Sequence, residues 1–173
     1  MEYREKKMPL KVTKLGVALI ILGSIPASAQ APPASTLSIP YGPPIGVETA
    51  KKVATLALVE ARKNNWLMAA AVVDPSGVLV YYEKMDNTQI GSATVSIGKA
   101  RSAALFKRPT KAFQDVVAAG GSGLRILSLE NAVAIEGGVP IIVNGQIIGA
   151  IGVSGDSSDH DGICAMAGAA AMK

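Results

Sequence analysis

The feature that most constrains this fold is the stretch 137–155, which predicts a β-hairpin. Its turn, Asn144-Gly145, accepts positive φ at both central positions of a type I′ turn, whose twist matches the flanking strands. The arm after the turn, residues 146–153, is nearly all apolar, which is typical of a strand buried on both faces. Gly149 and Gly152 lie within this arm and have no side chain, so another backbone, a helix or a ligand can lie close to them. We therefore expect this hairpin at the centre of a sheet.

Signals on either side of the hairpin predict an α+β fold. A helix is expected from Val47 to Asn64, because small apolar residues recur there at three- and four-residue spacings. A first hairpin is expected around Asp74-Pro75-Ser76-Gly77, which has the preferred residues of a type I turn. Further helices are expected over 92–105, 110–118 and 158–172, and a third strand over 133–136. The pattern predicts about five antiparallel strands with helices packed on the sheet.

Residues 1–29 have the three parts of a secretory signal peptide. A basic segment comes first, an apolar run of eleven residues follows over 15–25, and Ala27-Ser28-Ala29 offers the small residues of a cleavage site. The apolar run is shorter than the roughly 20 residues that cross a bilayer, so cleavage is favoured over a stable membrane anchor. Met1 and Met8 are both candidate start residues. We expect a mature protein that is periplasmic or secreted.

The charge of the mature chain argues against one class of function. The sequence has 17 basic and 13 acidic residues and a formal net charge of +4, but residues 1–29 hold five of the basic and two of the acidic residues. What remains is nearly neutral, at about +1, which is not the charge of a nucleic-acid-binding protein. Residues 30–46 contain five prolines and no charged residue, as expected of an extended N-terminal leader or of an arm that packs on a neighbour. Residues 47–173 are then one domain.

Three blocks of sequence follow one another in a characteristic order. They are 71–77 with Met85-Asp86 behind it, Lys99-Ala100 with 106–110, and 137–140 continuing through 152–155 to Asp161. In this order they resemble the GlcG/HbpS-like family of small proteins, which includes the C-terminal domain of PduO-type proteins. The resemblance covers roughly residues 45–173 and implies a profilin- or roadblock-like arrangement of helices over a sheet. It also implies a homo-oligomer, and haem binding, a link to glycolate utilisation or corrinoid metabolism.

Candidate ligand-binding residues lie in three places. Met85 and Asp86 occupy a family position near the end of a strand; the alternative roles are core filling for Met85 and capping of the next segment for Asp86. The segment 154–156, Ser154-Gly155-Asp156, is a polar corner between the central hairpin and the last helix. A basic group is suited to hold carboxylates or haem propionates, although basic residues late in a helix also complement its dipole without a ligand. The group consists of Lys99, Arg101, Lys107 and Arg108.

The last predicted helix carries the only histidine and the only cysteine of the chain. His160 and Cys164 are four residues apart and therefore share one helix face. Imidazole is a common axial ligand of haem iron, which makes His160 the candidate metal ligand, with Met85, Tyr41 and Cys164 as rivals and a solvated histidine at the helix start as the alternative role. The resembled family usually has a glutamine-type residue at this position, so His160 departs from its pattern. Cys164 has no partner for an internal disulfide, and its apolar neighbours favour burial.

Two classes of function remain after the catalytic motifs are considered. The segment 152–156 departs from the nucleophile elbow because the second residue after Ser154 is an aspartate. The glycine-rich segment 120–123 lacks the Lys-Ser/Thr of a phosphate-binding loop. The favoured class is an exported protein that binds a small ligand, haem or a related tetrapyrrole, for sensing, storage or transfer. The alternative is an enzyme or enzyme accessory that acts on small hydroxy or oxo acids such as glycolate.

We expect the exported protein to begin at Gln30, because the small residues Ala27 and Ala29 stand where signal peptidase requires them. N-terminal sequencing of the protein recovered from outside the cytoplasm checks this expectation. An exported protein with an intact Met1 or Met8 would contradict it.

Overall fold

The structure is a computed structural model, and it describes residues 36–172. The predicted signal peptide and residues 30–35 of the arm lie outside the described residues. The regular helices are α1 (Val47–Lys63), α2 (Ser92–Leu105), α3 (Lys111–Ala118) and α4 (Ser158–Ala170). The strands are β1 (Ala69–Val73), β2 (Leu79–Lys84), β3 (Gly138–Val143) and β4 (Gln146–Ser154). Two 3-10 helices, Thr36–Ser38 and Gly121–Ser128, complete the described elements.

The strands form one antiparallel sheet in the order β2-β1-β4-β3. The apolar arm of the central hairpin is β4, which lies between β1 and β3 and is buried along most of its length. Asn144 and Gly145 both have positive φ, at 50° and 73°, as the type I′ prediction requires. The predicted α+β fold is therefore confirmed, but only the β4 arm of the hairpin is interior, because β3 is an edge strand of the sheet.

The prediction of a fifth strand over Val133–Glu136 is wrong, and the sheet of the described residues has four strands. The segment is irregular because helices, rather than a neighbouring strand, bind its backbone. The N–H of Val133 donates to Ser102 Oγ of α2 at 3.1 Å, and the N–H of Glu136 donates to Gln114 Oε1 of α3 at 2.8 Å. A short β-branched run does not reveal from sequence alone which partner will satisfy its backbone groups.

Alternation along the strands places helices on both faces of the sheet. Val72 and Ile151 belong to the larger hydrophobic core, which they share with residues of α1 and α4. Val73 and Ala150 point to the other face and form a smaller core with alanines of α2. The fold therefore has three layers, with α2 on one face and α1 and α4 on the other.

A pair of glycines lets α2 approach the sheet closely. Gly152 of β4 and Gly138 of β3 are directly opposite each other. A Cβ on Gly152 would meet the backbone of Ser96 and Ala100, and one on Gly138 would meet the backbone of Lys99. The expectation that another backbone comes close at Gly152 is thus confirmed, and the backbone that does so belongs to α2.

The described part of the N-terminal arm pairs with β4 beyond the end of β1. The N–H of Ile147 donates to Pro40 O at 2.9 Å, and the N–H of Gly42 donates to Ile147 O at 2.9 Å. The Tyr41 hydroxyl donates to Ala104 O at 2.9 Å, at the C-terminal end of α2. The arm therefore packs on the domain of its own chain. Across residues 36–172 no helix has the length and apolarity needed to cross a membrane.

We expect Gly152→Ala to lower the free energy of unfolding by about 1–3 kcal/mol, because the added methyl must push α2 away from the sheet. Gly91→Ala is the matched control, since Gly91 has a negative φ and open space around its Cα. Urea denaturation of the three proteins measures the difference. Equal midpoints for Gly152→Ala and Gly91→Ala would contradict this packing.

Candidate functional site

Several predicted site residues meet at one edge of the sheet, where β1 begins and β2 and β4 end. Ala69 is opposite Lys84 of β2 and also opposite Ser154 of β4. The segments before β1, after β2 and after β4 are therefore neighbours. Their contacts include Met85 N–H to Met68 O at 3.0 Å and Gln89 Nε2 to Gly155 O at 3.4 Å. We call this region the site edge.

The imidazole of His160 is held at the site edge by the side chains of Asp156 and Trp66. Ser157 caps α4, and its hydroxyl accepts the His160 N–H at 3.4 Å, which places His160 in the first turn. Nδ1 of the ring lies 2.9 Å from Asp156 Oδ1. The indole of Trp66 stacks on the imidazole, with ring centroids 3.8 Å apart and an interplanar angle of 12°. The side chain of His160 is still 37% exposed, so part of the ring faces solvent.

Hydrogen bonds keep the Asp156 carboxylate charged. The N–H of Ser157 donates to Asp156 Oδ1 at 2.7 Å, and this bond lowers the pKa of Asp156, with a smaller contribution from His160. A charged carboxylate is the best acceptor for an N–H on Nδ1 of His160. The arrangement therefore favours the tautomer in which Nε2 carries the free lone pair.

Behind this group lies an ion pair between Lys99 of α2 and Asp161 of α4. Lys99 Nζ is 2.6 Å from Asp161 Oδ2, and the two side chains are only 1% and 4% exposed. Burial raises the pKa of the Asp161 carboxyl and lowers that of the Lys99 ammonium, while the attraction between the two charges opposes both shifts. The pair passes beside Gly137, where a Cβ would lie 2.8 Å from Asp161 Cβ and 2.9 Å from Lys99 Nζ.

The ion pair also supports the loop that carries Asp156. Asp161 has a second oxygen, Oδ1, which accepts the N–H of Asp156 at 3.4 Å. The contacts thus run from Lys99 through Asp161 and Asp156 to the imidazole of His160. The exposed imidazole of His160 is therefore positioned, through Asp161 and Asp156, by the buried ammonium of Lys99, which belongs to the helix on the other face of the sheet.

The four predicted basic residues do not form one surface. Lys99 is interior, and Arg101 donates from Nε to Gly77 O at 3.1 Å, in the β1–β2 turn at the far end of the sheet. Lys107 donates to a carbonyl of the N-terminal arm at 2.9 Å, and Arg108 to one in its own loop at 3.1 Å. The role of these four residues as ligand contacts stays a prediction.

The other predicted ligand residues do lie at the site edge. Gly155 packs against the backbone of Leu67 and Met68, and the buried Ser154 hydroxyl is 3.4 Å from Ser92 Oγ. Met85 is half-buried against the larger core. Exposed Asp86 lines a cavity of about 450 Å³. The other residues that line this cavity are Arg62, Leu67, Lys84, Met85 and Asn87.

Two of the rival metal ligands, Cys164 and Tyr41, lack an exposed and unbonded donor atom. Cys164 is buried as a free thiol, as its neighbours predicted, and burial, followed by nearby carboxylates, raises its pKa to about 12. The Tyr41 hydroxyl donates a hydrogen bond to Ala104 O at the end of α2.

Sequence reasoning missed Trp66, Arg62 and Lys84. Trp66 could have been singled out as the only tryptophan of the chain. That it stacks on His160 could not, because this contact depends on the register between β1 and β4.

The chain is similar in sequence and in fold to known proteins. Residues 45–170 match a family model described as "Haem degrading protein HbpS-like". The chain is 44% identical to protein GlcG of Escherichia coli over 95 residues, which are 55% of this chain and 69% of GlcG. A crystal structure of a double mutant of Streptomyces reticuli HbpS has a similar fold, with a TM-score of 0.70 and 25% identity over 87% of this chain and 98% of that one. A crystal structure of a PduOC:haem complex has a TM-score of 0.68 and 24% identity over 75% and 96% of the two chains.

We expect Lys99→Met to destabilise the fold by about 3–5 kcal/mol, because it leaves the Asp161 carboxylate buried without a counter-charge. Lys99→Met with Asp161→Asn removes both charges and should recover much of this loss. The control is Lys111→Met, since the Lys111 side chain is 52% exposed, its close partner Asp115 is exposed as well, and its second carboxylate, Glu136, is 3.8 Å away. Urea denaturation that gives Lys99→Met and Lys111→Met the same stability would contradict the role of the buried pair.

Proposed function

Because the chain belongs to the HbpS-like family, we propose that it binds haem or a related tetrapyrrole, with His160 as the axial ligand. The observation that carries the proposal is the imidazole held between Asp156 and Trp66. His160 offers one ring nitrogen for a metal, and a porphyrin supplies the other donors of its own iron. A single well-oriented imidazole at an exposed edge fits that requirement.

The hydrogen bond from Nδ1 to Asp156 supports His160 as a donor. Metal-binding histidines almost always donate their other ring N–H to a carboxylate, a carbonyl or a water, which fixes the tautomer and raises the basicity of the binding nitrogen. The 2.9 Å contact between Nδ1 and Asp156 Oδ1 supplies this partner and leaves Nε2 available.

Stacking on Trp66 fixes the plane of the imidazole. Trp66 is itself half-buried and packs against the larger core, so it presents a rigid face to the ring. With one face covered and one nitrogen bonded, His160 has little freedom to rotate. Such pre-organisation reduces the entropy that would be lost when a ligand binds.

The relatives support haem as the ligand class. PduOC, whose fold this chain shares, has been crystallised as a haem complex, and the matching family is described as haem degrading. The structure of this chain supports the same ligand class independently of the relatives. It holds an imidazole in a stacked pair formed by the segment before β1 and the first turn of α4.

The cellular setting of this binding is part of the proposal. The basic segment, short apolar run and small residues of 1–29 support export to the periplasm or beyond. The resemblance to the family supports a homo-oligomer. In that setting haem binding would serve sensing, storage or transfer of the ligand.

We expect haemin to give the wild-type protein a Soret band characteristic of imidazole ligation. His160→Ala should lose at least about tenfold in affinity and shift the band, and added free imidazole should restore the wild-type spectrum, because a lost axial bond is being replaced. Asp156→Asn should keep the band position but weaken binding by about 10-fold, since the acceptor of Nδ1 loses its charge.

The matched control is Asp159→Ala, an exposed residue next to His160 in the first turn of α4. Its haemin titration should equal that of the wild type. Circular dichroism of each variant checks that the fold is intact. The same Soret position and affinity in His160→Ala and wild type would overturn His160 as the ligand.

A further inference from the structure

The cavity beside Trp66 has no part in the contacts that hold His160. It has a volume of about 450 Å³ and opens at the site edge, with exposed Leu67 on its wall. Two cationic side chains line it, Arg62 from the last turn of α1 and Lys84 from the end of β2. Two separate elements, α1 and β2, thus each contribute one cationic side chain to the wall of the cavity.

The local backbone explains why these two residues meet. After α1, the N–H of Trp66 donates to Ala61 O at 3.0 Å, which folds the chain back beside Arg62 before β1 begins. Lys84 is opposite Ala69, two residues after Leu67. Asn87 then turns the chain with a positive φ of 62° and also lines the cavity.

Neither cation is firmly held by another side chain. The guanidinium of Arg62 lies 3.6 Å from Glu83 Oε1, and the Arg62 side chain is 50% exposed. An ion pair of this length and exposure contributes little, so the guanidinium is free to turn towards a ligand. Within residues 36–172 Lys84 forms no ion pair. Asp86, also exposed at the cavity, carries the opposite charge, so an anion bound there must contact the two cations and lie away from the Asp86 carboxylate.

The segment 66–68 contacts both the imidazole and the cavity. Trp66 stacks on His160, while its neighbour Leu67 lines the cavity. The strands β2 and β4, which end beside the cavity and beside His160 respectively, are separated by two strand spacings of about 4.8 Å each. A flat ligand that lies across this segment can therefore reach the imidazole and the cations together.

We infer that Arg62 and Lys84 form an anion subsite that binds the carboxylates of the tetrapyrrole. The inference rests on the proposed function, since it names the polar contacts of that ligand. Guanidinium and ammonium groups are suited to this task, because Arg binds a carboxylate through two parallel hydrogen bonds and Lys adds a mobile charge. The site edge then has two parts, a nitrogen donor and a carboxylate clamp.

Metal-free protoporphyrin IX and its dimethyl ester test the subsite. The ester has no free carboxylates, and neither probe contains iron that His160 can ligate. The readout is quenching of the fluorescence of Trp66, the only tryptophan of the chain. The wild type should bind the free acid at least about tenfold more tightly than the ester, and added salt should reduce this preference.

Arg62→Gln with Lys84→Gln should abolish the preference for the acid. Lys51→Gln with Lys52→Gln is the matched control, because it removes the same charge from exposed positions near the start of α1. The control should keep the wild-type preference. The inference is overturned if the wild type binds acid and ester equally, if it binds neither, or if the double variant at Arg62 and Lys84 keeps the preference.

The two proposals fail separately in these experiments. If His160→Ala leaves haemin binding unchanged while the porphyrin preference depends on Arg62 and Lys84, the axial ligand is wrong and the subsite stands. If the Soret band depends on His160 but acid and ester bind equally, the axial ligand stands and the subsite is wrong.

Discussion

The buried ion pair between Lys99 and Asp161 is the interaction on which the arrangement of the layers depends. It joins α2 to α4, although these helices cover opposite faces of the sheet, and it does so past the start of β3. Removing two charges from water costs several kcal/mol per ion, so the pair is tolerated only with close geometry. Gly137 provides that geometry, since any side chain there would occupy the space of both groups.

The exposed site follows from this buried contact. Asp161 also accepts the N–H of Asp156, and Asp156 in turn bonds the ring of His160. The imidazole therefore takes its position from an interior charge that solvent and ions screen only weakly. The register of β1 supplies the other half of the site, because it sets Trp66 beside the first turn of α4 and Lys84 at the same edge.

An open edge rather than an enclosed pocket has consequences for the proposed ligand. His160 is 37% exposed, and the cations at the neighbouring cavity are exposed as well. A ligand bound there can enter and leave without movement of the core, as exchange with a partner would require. Its affinity would come from one metal bond, stacking surface and carboxylate contacts, so each is expected to be individually important.

Local features were predictable from the sequence by itself, because they depend on neighbouring residues. The Asn144-Gly145 turn, the buried arm of the hairpin and the span of α1 all follow from turn chemistry and apolar spacing. The 133–136 segment shows the limit of this reasoning, since its β-branched residues are equally compatible with a strand and with binding to helix side chains.

Only the tertiary structure decided which of the chemically active residues meet. Lys99 was a candidate carboxylate-binding residue in the sequence, yet it is buried against Asp161, 62 positions further along the chain. Trp66 and His160 come together because β1 and β4 are adjacent in one particular register, and a shift of one residue would turn the side chains of β1 to the opposite face. Backbone preference acts between near neighbours in the chain, whereas a site of this kind is assembled by strand register and helix packing.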